Sequence, residues 1–387
     1  MTRTGTGTAG VGGVGGATGV AGVGVIGAGN ISTQYLENLT RFPDVEVRFV
    51  ADLDLARAAA QADAYGVPAS GTVAELLARE DVEVVVNLTV PAVHTEVGHQ
   101  ILDAGKHVWS EKPIALDHDA AAGLLARAGE AGLRVACAPD TVLGAGTQTA
   151  LRAIARGDIG EPLTATTMFH VPGPESWHPD PDFLFAHGAG PLFDMGPYYV
   201  TALVHVFGAA TRVQAVASTG RATRTIASGP RAGQVFEVQV PTHHAALVEF
   251  GPGRSAQSTF SFQHALHRAG MVEVNGTEGT IVLPDPNTFG GDTTLWRYDR
   301  DEPVTMPAEG PVYGRGAGVV DLVRAVRAGG TERASGAVAS HVLDVLLGIR
   351  DAAAGGTPVE ITSAVEPVAP LPQGWDPASP TLGAAGA

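Results

Sequence analysis

Apolar and polar positions follow two different rhythms along this chain. From residue 22 to about residue 139, short apolar runs alternate with stretches of helical spacing. Gly22–Ile26, Val45–Ala51, Val82–Leu88, His107–Trp109 and Leu133–Ala136 read as strands, and Leu53–Tyr65, Val93–Ala104 and His118–Ala131 as helices. Val84-Val85-Val86 is apolar without alternation, the pattern of a strand covered on both faces. Strands that alternate with helices predict a parallel, doubly wound sheet.

Past residue 140 the rhythm changes. A helix near Gly146–Arg156 precedes strand patterns at Leu163–His170, Arg212–Ser218, Val235–Val240, His244–Phe250, Ser255–Phe262, Met271–Asn275 and Thr293–Tyr298. With few helices between them, these predict a mostly antiparallel sheet. Two helices, near Gly318–Ala328 and Gly336–Ala354, are expected to close this part. The expected organisation is a nucleotide-binding α/β domain over 22–139 and an open α+β domain over 140–362. Residues 1–21, rich in Gly and Thr, and residues 363–387, rich in Pro and Ala, read as tails.

Composition narrows the function. The length of 387 residues suits two domains, and 44% hydrophobic with 17% charged residues excludes wholesale disorder. Cys137 is the single cysteine, so neither an internal disulfide nor a cysteine-based zinc cluster can form. A net charge of −16 repels phosphate backbones and anionic lipid, which argues against nucleic acid and membrane as partners. No apolar stretch reaches the ~18 residues of a spanning helix. The first residues lack the apolar core of a secretory signal, so a cytoplasmic enzyme is expected.

The segment Gly27-Ala28-Gly29-Asn30-Ile31-Ser32 follows a strand and opens a helix. Gly27 suits a tight turn, Gly29 lets a pyrophosphate approach the backbone, and the amides of Asn30 and Ile31 open the helix toward the phosphates. Ser32 replaces the third glycine of the usual pattern. An overlapping match, Gly22 to Gly27, lies inside the strand and is rejected. Asp52 ends the second strand, 23 residues beyond Gly29. An acid there accepts hydrogen bonds from the adenosine ribose and repels a 2′-phosphate, and no arginine follows it directly. NAD is therefore expected over NADP.

Three further segments accompany this fingerprint: Asn87-Leu88-Thr89-Val90-Pro91-Ala92-Val93-His94, then Glu111-Lys112-Pro113, then Asp194-Met195-Gly196-Pro197-Tyr198. In this order the four segments resemble the Gfo/Idh/MocA oxidoreductases over roughly residues 22–360. A hairpin around Val274–Thr280 adds to the match. The resemblance implies a Rossmann domain followed by an open, mostly antiparallel β-sheet domain, with the active site between them. It places Thr89, Pro91, His94, Glu111 and Lys112 at the cofactor, with His94 equally readable as an ordinary early-helix histidine. Many members carry D-x-G-x-H, where His is the acid/base; Tyr198 stands at that position here, as in a subset that includes glucose–fructose oxidoreductase and dihydrodiol dehydrogenase.

Tyrosine is a poor base at neutral pH unless a nearby positive charge favours the phenolate, and Lys112 could supply it. Asp194 and Tyr198, four residues apart, share one face of a helix. Asp194 either orients Lys112, binds a substrate hydroxyl or caps the helix. The expected chemistry is hydride transfer between NAD and a secondary hydroxyl or ketone of a sugar or glycoside, with Tyr198 moving the proton and Lys112 stabilising the alkoxide. An inositol or trans-dihydrodiol dehydrogenase is the alternative enzyme, and a non-catalytic NAD-binding sensor or scaffold the alternative class.

A proline-rich loop, Pro172–Pro181, offers Trp177 as a platform for a sugar ring and His178 as a hydrogen-bonding group or substitute acid/base. Asp140 follows the last strand of the first domain and is a candidate for substrate contact. His243 and His244 are consecutive on a strand and point to opposite faces, so no metal site is expected there. An open sheet face requires cover, and the resemblance implies a homodimer or homotetramer through it.

Overall fold

The computed structural model describes residues 19–382. Of the two expected tails, residues 1–18 and 383–387 lie outside the described residues. The first domain is a six-stranded sheet of β1 (Ala21–Ile26), β2 (Val45–Ala51), β3 (Ser70–Gly71), β4 (Val84–Asn87), β5 (His107–Ser110) and β6 (Val135–Cys137). Its order is β3-β2-β1-β4-β5-β6, and every pairing is parallel. Helices α1 (Asn30–Leu39), α2 (Leu55–Tyr65), α3 (Val73–Leu77), α4 (His94–Asp103) and α5 (His118–Ala131) connect the strands. This is the Rossmann order, whose direction reverses between β1 and β4. β1 and β4 are buried along their whole length, which is why their apolar runs do not alternate.

Local chemistry marks the helix ends. Asp54 caps α2 by accepting from the amides of Ala56 and Arg57, and Thr72 with Glu75 forms a capping box on α3. Asp117 caps α5 through the amide of Ala120.

The second domain begins with α6 (Ala145–Ala155), β7 (Pro162–His170) and α7 (Gly190–Phe207). Then come β8 (Arg212–Ser218), β9 (Thr223–Thr225), β10 (Val235–Glu237), β11 (His243–Glu249), β12 (Ser255–Ser261), β13 (Arg268–Gly276), β14 (Gly279–Leu283), β15 (Thr293–Arg297) and β16 (Val304–Met306). Helices α8 (Ala317–Ala328) and α9 (Gly336–Gly355) and the short β17 (Val359–Glu360) complete it. The nine-stranded sheet runs β16-β15-β14-β13-β7-β12-β11-β8-β17 and is antiparallel except where β12 meets β7. β10 pairs with β9 in a separate ribbon rather than joining this sheet.

One face of the large sheet is covered by α7 and α9, with Phe260, Val272 and Val274 packed against Tyr199, Leu203, Val345 and Leu346. On the other face Val216, Leu247 and Trp296 are exposed. The two closing helices do more than cover this sheet. α8 packs on the Rossmann sheet, where Val319, Val320, Leu322 and Val323 join Val23, Val84 and Trp109 in one core. α9 contributes to both domains, its Leu343 and Leu347 packing with Leu124 and Val135.

The segment after β17 runs without regular structure back to the first domain. Leu371 is buried there, and the Asp44 carboxylate accepts from the amides of Thr381 and Leu382. No helix among the described residues is long and apolar enough to cross a membrane.

Candidate active site

The β1–α1 turn explains its glycines one at a time. Gly27 has φ +100°, and a Cβ there would stand 2.6 Å from the carbonyl oxygen of Leu88. Only glycine meets both conditions. Gly29 is the N-cap of α1 without a side-chain cap, and nothing lies within 4 Å of where its Cβ would be. That open space sits in front of the uncapped amides of Asn30 and Ile31. Gly22 and Gly24 have another reason to be glycine: a Cβ would strike the Asp81 carbonyl at 1.8 Å and Leu76 at 2.9 Å. They are packing residues of β1, so the overlapping motif is not the turn.

Asp52 ends β2 beside this turn. Its carboxylate accepts the Ala28 amide at 2.7 Å and the Asp54 amide at 2.8 Å. It also pairs with Arg57 at 2.7 Å, a residue the sequence reading passed over. Burial pushes this carboxyl up, but the hydrogen bonds from Arg57, Ala28 and Asp54 outweigh it and hold it below its ordinary value. An open glycine turn, a bare helix N-terminus and a fixed carboxylate at the β1–β4 switch point suit a dinucleotide.

The β4–α4 loop is organised by Asn87, whose side chain donates to the His94 carbonyl at 3.0 Å and accepts from the Thr89 hydroxyl at 2.6 Å. Pro91 opens an exposed helical turn. His94, expected at the cofactor, is 1% exposed. Its Nδ1 lies 2.7 Å from the Pro113 carbonyl and its Nε2 2.9 Å from that of Thr89. The ring therefore ties the loop to the segment carrying Lys112 and is enclosed rather than presented to a ligand.

Lys112 joins the domains. Its Nζ donates to the Asp194 carbonyl at 2.7 Å and to Asp194 Oδ1 at 3.1 Å, and lies 5.4 Å from the centre of the Tyr198 ring. Asp194 is the fifth residue of α7 rather than its cap, so both acid and tyrosine project from one helix face. Pro197 sits inside α7 and removes the amide that would reach the Phe193 carbonyl. In the same loosened turn the Asp194 carbonyl takes its bond from Lys112. Burial alone would lower the affinity of Lys112 for its proton, but Asp194, Tyr198 and Glu111 outweigh it and hold the ammonium above the ordinary lysine value. Tyr199 points elsewhere, its hydroxyl accepting the Gly270 amide at 2.8 Å.

The Tyr198 hydroxyl is held by a residue the sequence reading did not single out. Arg315, in the loop before α8, donates to it at 3.0 Å, while Lys112 faces the ring. The same guanidinium is 4.0 Å from Glu111 and 3.9 Å from Asp140. Glu111 is held by the Tyr35 hydroxyl at 2.8 Å and the Lys112 amide at 3.0 Å. Asp140, expected to touch substrate, is fully buried and accepts the amides of Gly316 and Gly318 at 2.7 and 3.2 Å. It anchors the start of α8. Burial pushes its carboxyl up to about 6, against the opposing pull of Arg315 and those amides. No local motif surrounds Arg315; a lone basic residue in a glycine-rich loop was the only signal.

Trp177 is 67% exposed. His178 accepts the Asp180 amide at 3.0 Å and touches the Trp177 and Phe183 rings. The loop beneath them is fixed by a buried pair of Glu175 with Arg224, which also donates to the carbonyls of Pro172 and Phe262.

Comparison with known proteins identifies the family and the fold. Residues 21–138 match the oxidoreductase family with the NAD-binding Rossmann fold, and residues 147–282 match the GFO/IDH/MocA C-terminal domain. The chain is 28% identical over 315 residues to a dTDP-3,4-didehydro-2,6-dideoxy-alpha-D-glucose 3-reductase of Streptomyces antibioticus, covering 79% of this chain and 88% of that protein. It is 30% identical over 267 residues to an uncharacterized oxidoreductase of Rhizobium meliloti, covering 68% and 74%. Among solved structures, an NAD-binding oxidoreductase from Klebsiella pneumoniae superposes with a TM-score of 0.77 at 24% identity over 89% of this chain and 99% of that one.

Proposed function

The chain belongs to the Gfo/Idh/MocA family of NAD(P)-binding oxidoreductases, and from that premise we propose that it is an NAD-dependent enzyme that interconverts a secondary hydroxyl and a ketone on a sugar or glycoside. The observation that carries this reading is the enclosed ammonium of Lys112, held by Asp194 against the face of Tyr198. A protein that merely binds a dinucleotide has no use for a charge maintained there. The sugar-derived substrate in the name of the Streptomyces relative supports the substrate class.

In this reading the amides of Asn30 and Ile31 hold the pyrophosphate, Gly29 leaves it room, and Asp52 takes the adenosine ribose. Thr89, Pro91 and Glu111 border the nicotinamide side. The bound nicotinamide supplies the hydride acceptor or donor. Lys112 spends two of its three N–H donors on Asp194 and directs the third at the substrate oxygen, where it stabilises alkoxide charge. Tyr198 takes the hydroxyl proton during oxidation and returns it during reduction. Asp194 keeps Lys112 charged and oriented. Trp177 and His178 bind the sugar ring from the loop after β7. Residues 22–139 act as the cofactor domain and 140–362 as the substrate domain, and the exposed face of the large sheet joins two copies of the chain.

The test is reduced-dinucleotide formation with purified protein over a panel of sugars, glycosides, inositols and aromatic dihydrodiols, with NAD and NADP in parallel. Lys112→Met is expected to keep dinucleotide binding and lose turnover by on the order of 10²-fold or more. Undiminished turnover in that variant rejects the assignment.

A further inference from the structure

Arg315 is placed where a surface arginine would not be. Its side chain is 12% exposed, one guanidinium nitrogen donates to Tyr198 Oη at 3.0 Å, and the guanidinium lies 5.8 Å from the centre of the same ring. Its Nη1 is buried without a hydrogen-bond partner. The two nearest carboxylates, at 3.9 and 4.0 Å, are beyond hydrogen-bonding reach: Glu111 Oε1 takes the Tyr35 hydroxyl, and Asp140 accepts the Gly316 amide through Oδ2 while its Oδ1, which faces Arg315, has no hydrogen-bond partner. Burial works against the charge, but Tyr198, Glu111, Tyr35 and Asp140 outweigh it and keep the guanidinium protonated. Among the described residues, the one close polar contact of this cation with a side chain is therefore the tyrosine oxygen.

The chemistry of arginine gives that contact a direction. A guanidinium has five N–H donors and no acceptor, and it does not give up a proton in a protein. Tyr198 Oη must accept from it. The phenol proton cannot point back at Arg315, so it is turned toward whatever lies on the other side of the oxygen.

We propose that Arg315 is the positioning residue for Tyr198, fixing the polarity of its hydrogen bond so that the phenol proton faces the substrate oxygen. The inference rests on Tyr198 being the acid/base. In the reducing direction the O–H bond of Tyr198 breaks as its proton joins the carbonyl oxygen, and the carbonyl carbon gains a hydride from the reduced nicotinamide. The phenolate left behind sits against the guanidinium. In the oxidising direction that phenolate takes the hydroxyl proton while the C–H electron pair leaves as hydride to the oxidised nicotinamide. Arg315 keeps all its protons throughout. Lys112 cannot serve in its place, because its ammonium is turned to Asp194 and lies over the ring.

The test needs no substrate for its first arm. The Raman Fermi doublet of tyrosine changes its intensity ratio according to whether the phenol oxygen accepts a hydrogen bond, and the difference between the wild type and Tyr198→Phe isolates Tyr198 among the six tyrosines. Wild-type protein is expected to give the accepting signature. Arg315→Gln, measured against Arg315→Gln with Tyr198→Phe, is expected to lose it, and Arg315→Lys to retain it. With a substrate found in the panel, Arg315→Gln is expected to lower kcat by about 10²-fold with dinucleotide Kd changed less than twofold, and added guanidinium to restore part of the loss.

An unchanged doublet in Arg315→Gln, or an unchanged kcat, overturns the inference. If Tyr198→Phe turns over like the wild type while the doublet still depends on Arg315, the acid/base reading fails and the hydrogen-bond polarity stands. If Arg315→Gln does not fold, Arg315→Lys decides: loss of the accepting signature there overturns the inference.

Discussion

Asp52 and Arg57 form an ion pair at 2.7 Å, at the point where the second strand meets the glycine turn. On the proposed NAD reading, the pair makes the cofactor preference adjustable. In the proposed reading Asp52 presents the charge that disfavours a 2′-phosphate, and Arg57 is a half-exposed cation that the same carboxylate keeps occupied. Replacing Asp52 by serine removes the repulsion and releases the arginine. Asp52→Ser is expected to shift the ratio of NAD to NADP affinity toward NADP by about 10²-fold, and adding Arg57→Ala to remove the gain. Fluorescence titration with each dinucleotide reads this directly; an unchanged ratio would mean that Asp52 does not face the ribose.

Gly318 is held to glycine by Trp109. A Cβ on Gly318 would stand 2.0 Å from Trp109 Cη2. Trp109 is fully buried and donates to the Tyr35 hydroxyl at 3.1 Å, which in turn holds Glu111. Gly318→Ala is expected to destabilise the protein by about 1–3 kcal/mol through overpacking, and to change tryptophan fluorescence because the indole must move. Thermal melts with an unaltered midpoint would show that α8 can shift away without cost.

The returning C-terminal segment is fastened at Asp44. That carboxylate, fully buried, accepts from Thr381 twice, from Leu382 and from Arg324. Burial pushes its carboxyl up, but these bonds outweigh it and hold it below the ordinary value. Asp44→Ala leaves a partly buried guanidinium without its carboxylate and frees the last turn of the segment. A loss of about 2–4 kcal/mol is expected in chemical denaturation, with proteolytic cleavage entering beyond Leu371.

Acid sensitivity is set by buried groups of opposite sign. Burial depresses His205 and His244 to about 4. The unfolded chain takes up those protons near ~6.5, so they contribute stability that is lost as pH falls from about 6.5 to about 4. Burial raises Asp140 to about 6. The folded state holds that proton longer than the unfolded chain does, so this group favours folding as pH falls through the same window. The two histidines prevail, and stability is expected to drop between about pH 6.5 and 4. Asp140→Asn removes the opposing group and is expected to steepen the drop by on the order of 1–2 kcal/mol. Denaturation midpoints across that range check both slopes; a shallower drop in the variant would contradict the sign.

Much of the site was legible in the chain itself because its chemistry is local. The turn at Gly27, the open approach at Gly29, the acid closing β2 and the four-residue spacing of Asp194 and Tyr198 each depend on neighbours a few positions away. The Rossmann alternation and the change to antiparallel strands were equally readable, since strand and helix periods are properties of short windows.

What the tertiary structure decided lies far apart in sequence. Arg315 meets Tyr198 across 117 positions, and Asp140 meets Gly316 across 176. No window contains both partners, so neither pairing leaves a periodic or compositional trace. The same holds for α8, which follows the second domain in sequence but packs on the first sheet, with Gly318 closely against Trp109. A stripe declares that a face is buried; which surface buries it depends on shapes that exist only once both domains have formed. Thus the residue types proposed for proton transfer and alkoxide stabilisation were readable from local sequence. The arginine that holds the tyrosine oxygen, and the burial of Asp140 and His94, came from packing alone.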